Sequence, residues 1–226
     1  MRTPSRPRSR VRATPRAKRP PLRTKSQRPG NVRRPVAVAV TGGIGAGKSE
    51  LLRAFERHGA ATISSDEIVH RLLRENAEVK RAIVDRFGAG VVGRDGEIDR
   101  NRVADIVFTN RTELSWLEAM LHPLVSEDYL RWRDELSRLP DPPAVCVTEV
   151  PLLYEAGGDD RFDAVVAVTA SPEIRMSRTL LDLHAREDRL LPDEEKLARA
   201  DFAFVNDGTL DELDAFVSGV MAKLTS

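Results

Sequence analysis

A short apolar run followed directly by a glycine-rich segment limits what this chain can fold into more than any other feature. Residues 36–40 read VAVAV, a run without polar side chains that is typical of a strand buried on both faces of a parallel sheet. Residues 42–49 then read GGIGAGKS, the pattern G-x-x-x-x-G-K-S with two additional glycines inside it. Apolar residues at helical spacing follow as far as Gly59, the predicted end of a helix. The segment therefore predicts a buried strand, a tight loop and a helix in succession.

The residue types of this loop predict that it binds phosphate. Glycines let backbone N–H groups curl around phosphate oxygens, and the helix that follows directs the positive end of its dipole at them. Lys48 can bridge the β and γ phosphates of a nucleotide, and the Ser49 hydroxyl can ligate Mg²⁺. A merely glycine-rich turn would not explain this Lys-Ser pair. The predicted nucleotide-binding residues are Gly42, Gly43, Ile44, Gly45, Ala46, Gly47, Lys48 and Ser49.

A carboxylate follows the second predicted strand, which covers residues 60–64 and ends just before Asp66. Because the carboxyl ends of parallel strands line the ligand crevice, Asp66 could accept the proton of an attacking hydroxyl there. It could equally be the N-cap of a helix predicted from Glu67 to Arg74. Its position in the sequence leaves both interpretations open.

The remaining predicted strands alternate with helices, as in an α/β fold. Residues 67–139 are mostly helical by their apolar period and predict a helical substrate-binding insertion within the sheet. Strands are predicted at residues 144–148, 163–169 and 202–205, and an amphipathic helix at residues 209–224. With a phosphate-binding loop after the first strand, this order predicts a three-layer α/β fold with a parallel sheet of the P-loop NTPase type.

Charge divides the chain into two parts. The formal net charge of the 226 residues is +1, but residues 1–35 hold 13 Lys and Arg, seven prolines and no acidic or aromatic residue. Residues 36–226 carry a net charge of −12 and are expected to form one acidic globular domain. Residues 1–35 cannot bury enough apolar area to offset their ordering entropy, so we expect a disordered basic tail.

Three interpretations of this tail compete, and a solvated extension is favoured. A nucleic-acid-binding arm would have cations for phosphates but no aromatic side chain to stack on a base. A transit peptide would also be rich in arginine, but the seven prolines oppose the amphipathic helix that such peptides form. We therefore expect a nucleic-acid partner, if one exists, to bind the tail alone.

The remaining composition favours a soluble cytoplasmic protein without a membrane partner. Cys146 is the single cysteine, which excludes an internal disulfide and a cysteine-based metal cluster and agrees with a reducing compartment. No apolar run approaches the roughly 18 to 20 residues that span a bilayer. The basic start of the chain has no apolar stretch behind it, so a signal peptide is not expected. The sequence carries no prediction of oligomeric state.

Several segments together resemble the dephospho-coenzyme A kinases. The loop TGGIGAGKS is close to that family's version, with Ala46 where serine is commoner. The His-Pro-Leu and Pro-Leu-Leu-Tyr-Glu segments make the resemblance much more specific than the loop alone, and it covers essentially everything but the tail. It rests on residues 41–49, Asp66, and residues 121–124, 150–155, 168–173 and 200–206.

The resemblance implies transfer of the γ-phosphoryl group of ATP to the ribose 3′-hydroxyl of dephospho-coenzyme A, the last step of coenzyme A synthesis. ATP and Mg²⁺ are the implied cofactors, and dephospho-coenzyme A is the implied small-molecule partner. The aspartate that matches Asp66 is the family's proposed general base, which favours that interpretation over the helix cap. Lys48 and the loop amides would hold the triphosphate, and the insertion with His122 would bind the coenzyme moiety.

Departures from the family pattern concern the acidic residues and the lid. Ser64 stands where the first aspartate of Asp-x-Asp is usual, and Glu149 stands where aspartate is usual before the Pro-Leu-Leu segment. The predicted lid, residues 175–192, is several residues shorter than usual and has no recognisable Gln-containing helix. Arginines of such a lid stabilise developing charge. The candidates are Arg178, which matches the family best, and Arg186 and Arg189, for which a solvated, ion-paired helix face is an equal alternative.

Single residues and the function also have alternative interpretations. Without the resemblance, His122 would be interpreted as a packed core histidine. Cys146 is expected to be a small buried hydrophobe, and Trp116 and Trp132 are expected to be core anchors. The first rival function is a kinase of another small nucleotide or nucleoside, against which only the helical insertion with its His-Pro-Leu argues. The second is a nucleotide-switched binding protein. No Asn-Lys-x-Asp motif is present, and a base-positioned carboxylate suits transfer to a hydroxyl better than a switch.

Overall fold

The computed structural model describes residues 34–178 and 191–226. Their strands form one parallel sheet with the order β2-β3-β1-β4-β5. The strands are β1 (Val36–Gly42), β2 (Ala61–Ser64), β3 (Val145–Glu149), β4 (Ala164–Thr169) and β5 (Phe202–Val205). The helices are α1 (Lys48–Arg57), α2 (Ser65–Glu75), α3 (Ala77–Phe87), α4 (Arg100–Thr109), α5 (Arg111–Ser137), α6 (Pro172–Arg178), α7 (Asp193–Arg199) and α8 (Leu210–Thr225). Two short 3₁₀ turns cover Ala89–Val91 and Asp159–Arg161.

The central strand β1 is buried on both faces, as its uninterrupted apolar run predicts. Alternate side chains of β1 enter two separate hydrophobic cores. Ala37 and Ala39 belong to the core beneath helices α2 to α5. Val38 and Val40 belong to the core beneath α1 and α8. A sheet with helices on both faces confirms the predicted three-layer α/β fold.

The register of the sheet brings the carboxyl ends of β1, β2 and β3 together. Val40 of β1 pairs with Glu149 of β3, and Ser64 of β2 pairs with the same Glu149. On the other side of β1, Gly42 pairs with Val168 of β4. The loop after β1 and the first turn of α2 therefore start from neighbouring points at one edge of the sheet.

Helices α2 to α5 lie between β2 and β3 in the sequence. The longest, α5, has 27 residues and contains Pro123. The side chains of Trp116 and Trp132 pack against the core on this side of the sheet, so both are core anchors. Trp116 meets Phe87 edge to face, with ring centroids 5.4 Å apart. That this helical stretch is a substrate-binding insertion stays a prediction.

Two predicted segments lie largely outside the described residues. All of the basic tail except residues 34 and 35 does so. Of the predicted lid at residues 175–192, residues 179–190 also do so, and these include Arg186 and Arg189. Within the described part of the chain, no helix is long and apolar enough to cross a membrane.

Candidate active site

The loop between β1 and α1 has the backbone conformation that a phosphate site requires. Gly47, the N-cap of α1, has the left-handed φ of 92°, and α1 starts at the next residue, Lys48. The carbonyl of Gly47 accepts the first helical hydrogen bond, from the N–H of Leu51 at 3.0 Å. The first turn of a ten-residue helix therefore opens directly onto the loop, with its N–H groups available to an anion.

Two glycines of the loop allow contacts that a side chain would prevent. A Cβ atom at Gly42 would overlap the backbone carbonyl of Val168 on the neighbouring strand. A Cβ atom at Gly47 would overlap the side-chain amide of Asn206, and its positive φ is itself unfavourable for other residues. Asn206 is buried, and its amide donates to the carbonyl of Ala46 at 3.0 Å. Gly42 thus packs on the backbone of β4, while Ala46 and Gly47 pack on the side chain of Asn206, which follows β5.

Lys48 and Glu149 form a mostly buried pair of opposite charges beside the loop. The Lys48 ammonium donates to the carbonyl of Gly43 at 2.9 Å and lies 4.0 Å from Oε1 of Glu149. Burial lowers the pKa of Lys48, and the charge of Glu149 opposes this shift. Burial likewise raises the pKa of Glu149, against the charge of Lys48 and a hydrogen bond from the Ser49 hydroxyl. The pair therefore places one cation and one carboxylate next to the hydroxyl of Ser49.

Asp66 lies in the first turn of α2 and is not its cap. Ser64 is the N-cap: its hydroxyl accepts from the N–H of Glu67 at 3.0 Å, and the Glu67 carboxylate accepts from the N–H of Ser64 at 3.0 Å. The interpretation of Asp66 as N-cap is therefore wrong, because Ser64 and Glu67 already form a complete capping box. The Asp66 side chain is exposed. Its charge acts on Lys48 and on Glu149, raising the pKa of each after the larger effects of burial and of their mutual attraction.

A cavity of about 780 Å³ opens beside this cluster. Asp66 and Thr148 contribute to its wall at the sheet edge, and α5 and the segment after β3 supply most of the rest. That remainder is mainly apolar and includes Leu117, Leu121, Val125, Leu152 and Phe162. A small molecule bound in this cavity would have the Asp66 carboxylate within its own binding site.

His122 also lines the cavity, and its side chain is exposed. The alternative interpretation of His122 as a packed core histidine is therefore wrong. The residue precedes Pro123, which cannot donate the helical hydrogen bond to residue 119 and locally loosens α5 at this point. Arg161 contributes a cation to the same wall, where it donates to the hydroxyl of Ser126 at 2.8 Å. The mainly apolar cavity wall thus includes two nitrogen-bearing side chains, His122 and Arg161, in addition to the Asp66 carboxylate.

Arg178, the predicted lid arginine, is the last described residue of α6. Its guanidinium donates to the backbone carbonyl of Asn206 at 3.3 Å. One of its nitrogens would lie 3.5 Å from a Cβ atom built at Gly47. Arg178 therefore lies at the helix end of the phosphate loop, while Arg186 and Arg189 lie outside the described residues.

Four charged residues to which the sequence assigned no individual role form two ion pairs in the structure. Arg175 and Asp193 pair across the loop with 3.1 Å between Nη1 and Oδ2. Lys196, only 1% exposed, lies with Nζ 2.9 Å from Oε1 of Glu155. The sequence signal for both pairs was poor, because residues 193–199 read DEEKLAR and have the composition of an exposed helix.

The oxygen atoms beside Lys48 fit a magnesium ion that arrives with a nucleotide. Ser49 supplies a hydroxyl and Glu149 a carboxylate, and the hydroxyl is close enough to lower the pKa of that carboxylate. Mg²⁺ keeps several waters and takes one or two protein oxygens together with phosphate oxygens. No cluster of three or more His, Cys, Asp or Glu side chains suited to a metal occurs among residues 34–178 and 191–226. The donor set therefore fits Mg²⁺ bound with phosphates better than a metal held by protein ligands alone.

Comparisons with known proteins agree with this geometry. A family model described as dephospho-CoA kinase matches residues 36–212. A Streptomyces avermitilis protein named dephospho-CoA kinase is 39% identical over 194 residues, which are 83% of this chain and 93% of that protein. The protein of the same name from Protochlamydia amoebophila is 37% identical over 187 residues, 78% of this chain and 90% of the relative.

Solved structures extend the agreement to the fold. A crystal structure of a Thermus thermophilus protein covers 85% of this chain and 99% of its own, with a TM-score of 0.69 and 35% identity. A dephospho-CoA kinase from Campylobacter jejuni covers 84% of this chain and 96% of its own, with a TM-score of 0.63 and 29% identity. The family match and these relatives confirm the resemblance, and the chain belongs to the dephospho-CoA kinase family.

Proposed function

We propose that this chain transfers the γ-phosphoryl group of ATP to the ribose 3′-hydroxyl of dephospho-coenzyme A. One observation carries the proposal beyond family membership: Asp66 both lines the cavity and lies within the electrostatic reach of Lys48. An acceptor hydroxyl in the cavity and a phosphoryl group on the loop would therefore meet at this carboxylate. We also propose that the enzyme is cytoplasmic, because its single cysteine, Cys146, agrees with a reducing compartment.

The loop would bind the triphosphate and balance its charge. The N–H groups of residues 43–49 and the positive end of the α1 dipole favour phosphate oxygens. Lys48 adds a full positive charge, which on binding would exchange the carbonyl of Gly43 for phosphate oxygens. Phosphoryl transfer passes through a loose transition state, so positioning and charge stabilisation supply most of the catalysis.

Asp66 would act as general base. Its carboxylate would accept the proton of the 3′-hydroxyl as that oxygen bonds to the γ-phosphorus, while the bond from γ-phosphorus to the bridging oxygen breaks and ADP leaves. The capping box of Ser64 and Glu67 supports this role, because the start of α2 is capped without the Asp66 carboxylate. The exposed position of Asp66 on the cavity wall gives a bound acceptor access to it.

Further residues would hold the two ends of the reaction. Ser49 and Glu149 would hold Mg²⁺, which when bound neutralises phosphate charge and orients the phosphate oxygens. Arg178 would add a cation at the helix end of the loop as charge develops during transfer. On the acceptor side, His122 and Arg161 would donate to anionic groups of dephospho-coenzyme A, and the apolar wall would pack against its uncharged parts.

The test is a coupled ATP-consumption assay of the purified full chain with dephospho-coenzyme A, adenosine and adenosine monophosphate as acceptors. We expect turnover with dephospho-coenzyme A that exceeds turnover with the other acceptors. Brisk turnover of adenosine or the monophosphate, with none of dephospho-coenzyme A, would favour the rival small-molecule kinase. ATP consumption that is independent of every acceptor would favour the nucleotide switch.

The roles of Asp66 and Lys48 are tested by Asp66→Asn and Lys48→Ala. Loss of a positioned general base lowers kcat by about 10²- to 10⁴-fold, and we expect Asp66→Asn to do so with KM for ATP nearly unchanged. Lys48→Ala should reduce kcat/KM for ATP. Glu75→Gln on the same helix α2, at an exposed position, is the matched control and should behave as wild type. Wild-type kcat in Asp66→Asn would remove the base role and leave the family assignment intact.

A further inference from the structure

Helix α6 lies directly against the phosphate loop through Arg175. A Cβ atom built at Gly45 would be 2.9 Å from the carbonyl oxygen of Arg175 and 3.1 Å from its Cα atom. The guanidinium of Arg175 extends along the loop, where Nε donates to the carbonyl of Ile44 at 2.8 Å. The side chain of Arg175 is only 12% exposed. A mostly buried cation thus contacts the backbone of the predicted phosphate site.

The orientation of the Ile44 peptide bears on phosphate binding, because a phosphate loop binds an anion only when the N–H groups of its peptides face that anion. Backbone N–H groups must face the anion, so the carbonyl groups of the same peptides need partners elsewhere. Arg175 supplies such a partner for Ile44, and Asn206 supplies one for Ala46. A peptide whose carbonyl lost its partner could rotate and present oxygen to the phosphates.

Asp193 orients the Arg175 fork. Its Oδ2 accepts from Nη1 of Arg175 at 3.1 Å and from the Thr169 hydroxyl at 2.5 Å. Asp193 is the first residue of α7, and Arg175 lies in α6, so the pair joins the two helices that flank residues 179–190. Thr169 ends β4, which gives the pair a rigid anchor on the sheet.

The ion pair of Arg175 and Asp193 also sets the net charge beside the loop, where phosphates would bind. The Asp193 carboxylate would lie 2.9 Å from a Cβ atom at Gly43, and its charge reaches Lys48, whose pKa it raises against the larger effect of burial. A carboxylate this close to the loop repels a triphosphate unless a cation balances it. Arg175 lies in contact with that carboxylate and provides the balance.

We propose that Arg175 is a positioning residue for ATP, which holds the Ile44 carbonyl outward and neutralises Asp193 beside the loop. The proposal rests on the proposed function for the identity of the nucleotide, but not for the identity of the acceptor. It assigns Arg175 no contact with the transferred group, so its removal should weaken ATP binding more than it slows the chemical step.

The experiment measures binding of Mg·ADP to the full chain by titration calorimetry, together with KM and kcat for ATP. Loss of one charge-assisted hydrogen bond to a buried partner costs about tenfold in affinity, and we expect at least this loss for Arg175→Met. KM for ATP should rise in parallel, with kcat within about threefold of wild type by the uniform-binding criterion. KM for dephospho-coenzyme A should be unchanged. Arg53→Met is the matched control, because Arg53 is an exposed arginine of α1 paired with Glu50, and it should bind Mg·ADP as wild type does.

A double variant separates the two parts of the role. In Arg175→Met the Asp193 carboxylate has lost its cation, so adding Asp193→Asn should recover part of the lost affinity. Arg175→Lys keeps the charge but lacks the fork, and should fall between wild type and Arg175→Met. Since Arg175→Lys retains a buried cation for Asp193, it also serves as the test variant if Arg175→Met does not fold, as judged by circular dichroism.

Three results would overturn the proposal. The first is a Mg·ADP affinity within twofold of wild type in Arg175→Met or, if that variant does not fold, in Arg175→Lys. This result would mean that the loop binds nucleotide without the contact between Arg175 and the Ile44 carbonyl. A large fall in kcat at unchanged KM would make Arg175 a catalytic residue in contact with the phosphoryl group. A double variant that binds no better than Arg175→Met would remove the neutralising role. Because the readout is nucleotide binding, the proposal is tested even if the chain fails to phosphorylate dephospho-coenzyme A.

Discussion

The buried ion pair of Lys196 and Glu155 predicts a large effect on stability when one partner is removed. Lys196 is 1% exposed, and its Nζ lies 2.9 Å from Oε1 of Glu155. The same Oε1 accepts from the N–H of Leu191 at 2.9 Å, whereas Oε2 has no hydrogen-bond partner among the described residues. Lys196→Met would leave the carboxylate in this site without its cation.

The size of the expected loss in free energy of unfolding follows from the burial of the pair. Removing one partner of a buried pair costs about 3 to 5 kcal/mol, because the other charge stays desolvated. Glu155 keeps the Leu191 N–H, and its side chain is 15% exposed, so we expect the lower end of that range. For a domain of this size, about 3 kcal/mol corresponds to a fall in Tm of about 6 to 12 °C.

Urea unfolding followed by circular dichroism measures this change in the free energy of unfolding. Glu155→Gln combined with Lys196→Met removes both charges, and that double variant should be within about 1 to 2 kcal/mol of wild type. Arg131→Met is the control, because Arg131 is exposed, its partner Asp128 keeps Arg71, and its other partner Glu127 is exposed, so stability should change by less than about 0.5 kcal/mol. A loss below about 1 kcal/mol in Lys196→Met, or a double variant no more stable than it, would refute the reasoning that the pair is a desolvated unit.

Three further predictions concern the phosphate loop and the start of α2. Ser64→Ala should lower the free energy of unfolding by about 1 kcal/mol through loss of the cap, whereas Asp66→Asn should leave it nearly unchanged; thermal unfolding would contradict this if the order were reversed. Gly47→Ala should weaken Mg·ADP binding by about 5- to 150-fold, since strain at positive φ costs about 1 to 3 kcal/mol; Gly219→Ala, in open space on α8, is the control and should bind as wild type does. Burial holds the pKa of Lys48 below its ordinary 10.5, so ATP affinity should be full below the lowered pKa and fall as pH rises through it. A calorimetric pH series that retains full affinity up to pH 10.5 would contradict the last prediction.

The parts of the fold that sequence predicted are those set by local pattern. The run from Val36 to Val40 contains only apolar side chains, so burial on both faces follows from composition alone, and β1 is indeed central. The loop after it carries its chemistry in consecutive residues, and its conformation follows from the glycines at positive φ. Structure set by residues that are close in sequence can be predicted from the sequence, because those residues have few alternative partners.

The parts that sequence could not predict depend on contacts between distant segments. Lys196 lies in a segment that reads as a solvated helix, and only the return of the chain onto Glu155 buries it. Arg175 and Asp193 are 18 residues apart, and their shared contact with the loop requires the whole sheet to be in place. The helix cap was missed for another reason, because two serines and an aspartate in succession offer three capping residues and propensity does not choose among them.

The single thiol of the chain has a practical consequence for fluorescence labelling of the protein. Cys146 is completely buried in β3, and burial raises its pKa to about 12. A thiol in this state is protonated at neutral pH and shielded from reagents, so maleimides and dyes should leave it unmodified in the folded protein. A cysteine introduced at an exposed position such as Met176 would then be the one reactive thiol of the chain. The wild-type background therefore already permits site-specific fluorescence measurements of α6 during nucleotide binding, without prior removal of Cys146.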